Sequence, residues 1–210
     1  MSMVRIFMKF KSSEVKRMNK NIIFSAVMVL MAALFIAVMP TEAEGAVYED
    51  TVRLHILAES DGAEDQVMKI ALRDAVLSEF GERLSMAECA DGARSALSGM
   101  VREIEEFCAN ELLEMGYSGG VEVTLVEEWY ETREYADFTL PAGVYTSLRV
   151  VIGEGEGQNW WCVMYPPMCL DVACEDAADI YTDEERALIS GNGYRAKFKI
   201  LELISSAFSQ

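Results

Sequence analysis

The sequence predicts an α+β domain, a mostly antiparallel sheet with two main helices packed on one face, behind an N-terminal signal or anchor segment. Three observations carry this. An uncharged apolar run, Ile22–Met39, follows a basic lead. One alternating stretch is then succeeded by two long helical periodicities. From Gly119 onward β-branched and aromatic residues alternate with polar ones. One strand, two helices and then several strands is the order of an α+β domain.

The N-terminal segment is legible from charge. Up to Lys20 there are six basic residues (Arg5, Lys9, Lys11, Lys16, Arg17, Lys20) against one acid, Glu14. The apolar run comes next, and Pro40–Ala46 supplies small residues suited to a signal peptidase, with Thr41/Ala43 or Ala43/Gly45 as the recognised pair. That pattern reads as a signal peptide, residues 1–43, or as an anchor just long enough to span a bilayer through residues 22–39. The basic side stays in the cytoplasm, so residues 44–210 form a single exported domain. Translation starts at Met1 or at Met18, which leaves a compact leader.

The exported part carries 12 Lys/Arg against 33 Asp/Glu from Ala43 onward. Such a surplus excludes nucleic acid as a partner, because neutralising phosphates needs cations. It equally disfavours docking on anionic lipid.

Thr51–Ala58 (TVRLHILA) alternates, with Val52, Leu54 and Ile56 on one face and Arg53, His55 and Leu57 on the other, which predicts a half-buried strand. Glu59–Gly62 turns the chain, and Asp61 with Glu64 predicts a capping box. A helix is expected from about Ala63 to Phe80, stopped by Gly81. The second helix, from Glu88 or Asp91 to Met115, has a stripe of Ala93, Leu97, Ile104, Cys108 and Leu112, with Gly116 as its stop. Strands are expected at Val121–Leu125, between Trp129 and Leu140, at Val144–Ile152 and at Tyr194–Ile200. The acidic segment Glu175–Glu185 leads into a short helix, and Leu201–Phe208 forms another.

Chemistry is sparse. His55, the single histidine, sits inside a strand, where a structural or surface role outweighs that of a catalytic base. Cys162, Cys169 and Cys174 lack the tight pairs of a zinc site. Cys89 and Cys108 lie on predicted helices as small core residues, while Cys162 and Cys169 flank a diproline and can bridge in an oxidising compartment. The glycine run 153–157 lacks the spacing and following helix of a nucleotide loop, and its glutamates repel phosphate. No catalytic set, cofactor, metal or small-molecule substrate is expected. A wall-active enzyme or carbohydrate-binding domain, using an acid pair and Trp160–Trp161, is the alternative reading.

The stretch Gly153–Leu170 (GEGEGQNWWCVMYPPMCL) concentrates two tryptophans, two cysteines and a diproline. It is either a packed centre or a surface built for recognition. The candidate partner-binding residues are Asn159, Trp160, Trp161, Tyr165, Pro166, Pro167 and Met168.

Two blocks carry a resemblance. VRLHILAESDGAEDQVMKIALRDAVL at Val52–Leu77 and PAGVYTSLRVVIGEGEGQNWWCVMYPPMCLD at Pro141–Asp171 resemble the stage II sporulation protein R family, and Tyr194–Glu202 resembles its closing segment more weakly. The departures, His55, Met164–Tyr165 and Met168–Leu170, are mild. The resemblance implies a secreted signalling protein rather than an enzyme. Made in a forespore and exported into the space facing the mother cell, it triggers a membrane-embedded aspartic protease. That protease processes the precursor of the early mother-cell sigma factor. Ser60, Asp61, Glu64, Asp65 and Arg73 of the first block read as cap and scaffold.

Overall fold

In a computed structural model, which describes residues 20–36, 39–135, 138–166 and 181–190, the chain divides into two units. The first comprises Met1–Pro40 and Lys199–Gln210, the second Thr41–Phe198. In the first, α1 spans residues 20–36 and is exposed along its length. Among the described residues no helix is long and apolar enough to cross a membrane.

The second unit is built on β1 (Val52–Leu57), an inner strand. It pairs in parallel with β5 (Gly143–Ile152) and antiparallel with β6 (Asn159–Tyr165). β2 (Val121–Tyr130) pairs antiparallel with β5, so the sheet order is β2-β5-β1-β6. Two of the three pairings are antiparallel, as the α+β reading expected. The parallel pair follows from the two helices between β1 and β2, which leave β5 to return beside β1.

α3 (Ala63–Ser85) and α4 (Ala90–Glu114) cover one face. Val52, Leu54 and Ile56 point into their cluster with Leu72, Val76, Phe80, Leu97, Ile104 and Leu148. Phe80 and Phe107 meet edge to face at 5.3 Å and join the helices. Each such buried side chain contributes roughly 1.5–3 kcal/mol of transfer free energy. Gly116, at φ +89°, ends the α4 region as the sequence indicated.

The other face is covered as well, and this corrects the half-buried reading of β1. Two elements sit there, α2 (Glu42–Glu49) and α5 (Asp183–Ser190). They are joined by a short hairpin of β3 (Arg133–Glu134) and β4 (Thr139–Leu140). Val47, Leu140, Tyr145, Val163, Tyr181, Leu188 and Ile189 form this second cluster. Arg53 is therefore fully buried, and His55 is 8% exposed.

Several local readings also change. α2 is absent from the sequence prediction, yet Thr41 and Glu44 form a capping box at its start. Asp61 does not cap α3. The N-cap is Gly62 with no side-chain bond, and Asp61 Oδ1 accepts instead from the Gln158 backbone N–H at 2.8 Å. α3 runs through Gly81 to Ser85 because Leu84 is buried in the core, which rewards another turn. The stretch between Trp129 and Leu140 is not one strand: Trp129 and Tyr130 finish β2, and the hairpin follows. Cys89 is exposed at the N-cap of α4, not core; Cys108 is buried. The expected elements at Tyr194–Ile200 and Leu201–Phe208 lie outside the described residues.

Candidate partner-binding site

β6 carries the tryptophans, and strand alternation sends them to opposite faces. In register, Trp160 lies opposite Ile56 and Trp161 opposite His55. Trp160 packs against the helix-side cluster, with the Arg73 guanidinium 4.5 Å from its ring centre. Its indole nitrogen is buried and has no hydrogen-bond partner among the described residues. Trp161 packs on the second cluster, its ring stacked on His55 at 5.7 Å and flanked by the Arg133 guanidinium at 3.8 Å. Both indoles remain partly accessible, and Asn159 is exposed. A partly desolvated cation on an indole contributes about 0.5–2 kcal/mol, so both rings are held in place before any partner arrives.

Behind Trp161 lies a polar cluster that the sequence did not reveal. His55 Nδ1 donates to Glu128, 3.0 and 3.1 Å from its two carboxylate oxygens, and Nε2 faces Asn159 Oδ1 at 2.9 Å. Tyr130 Oη donates to Glu128 Oε1 at 2.9 Å and lies 2.6 Å from Ser147 Oγ. Burial pushes the Glu128 carboxyl up. Hydrogen bonding from His55 and, when His55 is protonated, its charge, with bonds from Ser147 and Tyr130, outweigh this and hold it at about 2. Burial likewise drives the Tyr130 hydroxyl upward, keeping it a protonated donor.

Arg53 completes the cluster. Its guanidinium sits 3.9 Å over the Tyr130 ring and 5.1 Å from that of Tyr145, and Nη2 donates to Tyr135 Oη at 2.7 Å. Nε and Nη1 have no hydrogen-bond partner among the described residues. Aromatic faces rather than a carboxylate accommodate this cation. The clue was in the alternation: charged residues on a strand that proves central are buried on both faces.

The loop before β6 is locked to the turn after β1, which brings the two distinctive sequence blocks together. Glu156 N–H donates to Glu59 O and Gly157 N–H to Ala58 O. Lys69, 3% exposed, donates to Gln66 Oε1 at 2.6 Å and to Gln158 O at 2.7 Å. Ser60 Oγ donates to Asp65 at 2.5 Å. Ser60, Asp61 and Asp65 thus act as scaffold, and Arg73 as the support of Trp160.

Of the candidate contact residues, Asn159, Trp160 and Trp161 reach the surface. Tyr165 is 0% exposed, its hydroxyl donating to Ala87 O, and Pro166, joined to it by a cis peptide, is buried. Pro167 and Met168 lie outside the described residues. Cys162 is disulfide-bonded, while Cys169 also lies outside the described residues. Among the described residues no group of histidines, cysteines and carboxylates can hold a metal ion.

The stage II sporulation protein R family model matches residues 48–174. Over 138 residues the sequence is 31% identical to Stage II sporulation protein R of Bacillus subtilis (strain 168), an alignment covering 65% of this chain and 62% of that relative. The chain therefore matches less than two thirds of that relative's length. No solved structure matches. The matched region runs from Tyr48 in α2 through the entire sheet, including both blocks that meet at β6, and the chain belongs to the stage II sporulation protein R family.

Proposed function

We propose that the chain is an exported sporulation signal that switches on a membrane-embedded aspartic protease of the mother cell, which then processes the precursor of the early mother-cell sigma factor. Family membership makes it a sporulation protein. The observation that supports a ligand role is the surface at the start of β6. Two pre-positioned tryptophans with partly accessible rings, beside exposed Asn159, fit the aromatic anchors that dominate protein–protein recognition.

A ligand activates a protease only by binding its active state better than its inactive one. Asn159, Trp160 and Trp161 make that differential contact with the receptor's outward-facing segments. The apolar run at 22–39 carries export, either as a cleaved signal or as a retained anchor. Cleavage after Ala43 or Gly45 would split α2 and remove its Thr41 cap, whereas a retained leader leaves α2 whole.

The test is co-expression, in vegetative cells, of the chain, the receptor protease and the pro-sigma substrate, with processing followed on a gel. Processing should require the chain and its leader. Trp161→Ala should remain folded, because Trp161 lies at the rim, and should lose roughly tenfold or more in activation. A folded, fully active Trp161→Ala protein sinks the contact surface. Absence of processing with a folded, exported wild-type chain sinks the signalling role and brings forward the wall-active reading.

A further inference from the structure

β2 lies at the sheet edge opposite β6. It pairs with β5 through ten consecutive residues without a bulge, and among the described residues no strand covers its outer side. Such an edge exposes a row of backbone donors and acceptors, and proteins blunt it with charge, proline, a bulge or brevity. β2 (VEVTLVEEWY) is long, has no proline or bulge, and is guarded by acid alone, which repels a like edge but suits a basic one. Its charges are Glu122, Glu127 and Glu128, all acidic, and Glu128 is turned inward to His55.

The end of this edge is shaped as well. Trp129 and Val144 are cross-strand neighbours, 39% and 48% exposed. Beside them a groove of about 430 Å³ is lined by Glu49, Asp50, Asp91 and Glu127 as well as Val144. The one basic residue of its lining, Arg94, is already engaged by the Glu49 carbonyl and by Asp91 at 2.6 Å. Burial first, and then the neighbouring Glu185 carboxylate, raise the Asp50 carboxyl above its ordinary range.

A second copy of this chain would bring acid against acid along the edge. An extended basic segment would pair the backbone and neutralise the glutamates together. We propose that β2 is a docking edge for an extended, Lys/Arg-bearing segment of a partner protein. The segment adds as a fifth strand, sets basic side chains against Glu122 on one face and Glu127 on the other, and covers Trp129 and Val144 with an apolar residue. This surface is separate from the tryptophans of β6 and does not depend on the receptor reading.

The experiment uses the full chain with a synthetic extended peptide of about nine residues in a Val-Lys-Lys-Val repeat, which sets lysine on both faces, compared with the same peptide carrying glutamate for lysine. Hydrogen exchange read by mass spectrometry should show protection confined to Val121–Tyr130 with the lysine peptide only. Glu127→Lys, an exposed change, should weaken binding by roughly tenfold or more, as should raised salt. Four results would overturn the proposal: no protection of β2 by the peptide, equal protection by the glutamate peptide, β2 protection without peptide that is independent of protein concentration, which marks the chain's own basic stretch Tyr194–Ile200 as the occupant, or β2 protection that grows with protein concentration, which marks a second copy.

Discussion

Glu128→Gln isolates the electrostatics behind Trp161. The substitution keeps the shape and acceptor oxygen of the side chain but removes the charge that faces His55 from β1. Tyr130 of β2 and Ser147 of β5 complete its surroundings. The carboxyl is held at about 2, against an ordinary value of 4.5. At about 1.4 kcal/mol per pH unit, that difference contributes roughly 3 kcal/mol at neutral pH, trimmed toward about 2 by partial exposure. A depressed carboxyl contributes its full stability above the unfolded value, 4.5, and loses it as pH falls through 4.5 toward about 2. Urea unfolding of both proteins at pH 7 and pH 3 therefore gives a double difference. The wild-type advantage should shrink by roughly 1–2 kcal/mol on acidification. Other carboxylates common to both proteins cancel. An advantage that is the same at both pH values refutes the ion-paired description of Glu128.

Three further outcomes follow from the geometry. Gly157→Ala places a methyl group against the Ser60 backbone carbonyl, so the loop–turn lock must open; a loss of roughly 2 kcal/mol or more should appear in thermal unfolding. Thr41→Ala removes the side-chain acceptor for Glu44 N–H and should cost about 1 kcal/mol in urea unfolding, with α2 the first element to gain amide exchange. Cys89 is exposed, while Cys108 is buried and its thiol is pushed up to about 12. With sites read by peptide mass spectrometry, a thiol reagent should therefore label Cys89 quickly and Cys108 only after unfolding.

Much of the scaffold was legible because it is written in local periods. Val52, Leu54 and Ile56 alternate, α4 has a clean helical stripe, and Val144–Ile152 is dense in β-branched and aromatic residues. Two helix starts were present but unread, at Thr41-x-x-Glu44 and Thr182-x-x-Glu185, where reciprocal side-chain to backbone bonds form. Residues 40–46 suit a signal peptidase, and Thr41 with Glu44 among them also forms a helix cap. Asp61 illustrates the reverse error. Its spacing to Glu64 suits a cap, but Gln158, distant in sequence, offers its backbone N–H.

Element types of the main scaffold, the surplus of acid and, through two long blocks, the family are readable in the order of residues alone. That β1 is an inner strand paired in parallel with β5 follows from how the helices return the chain in space, which no local pattern records. That placement in turn buries Arg53 among tyrosines and sets His55 between Glu128 and Asn159. It also directs Trp160 and Trp161 to opposite faces of one edge strand. Periodicity records which residues share a side; what covers each side is set by segments far away in the chain.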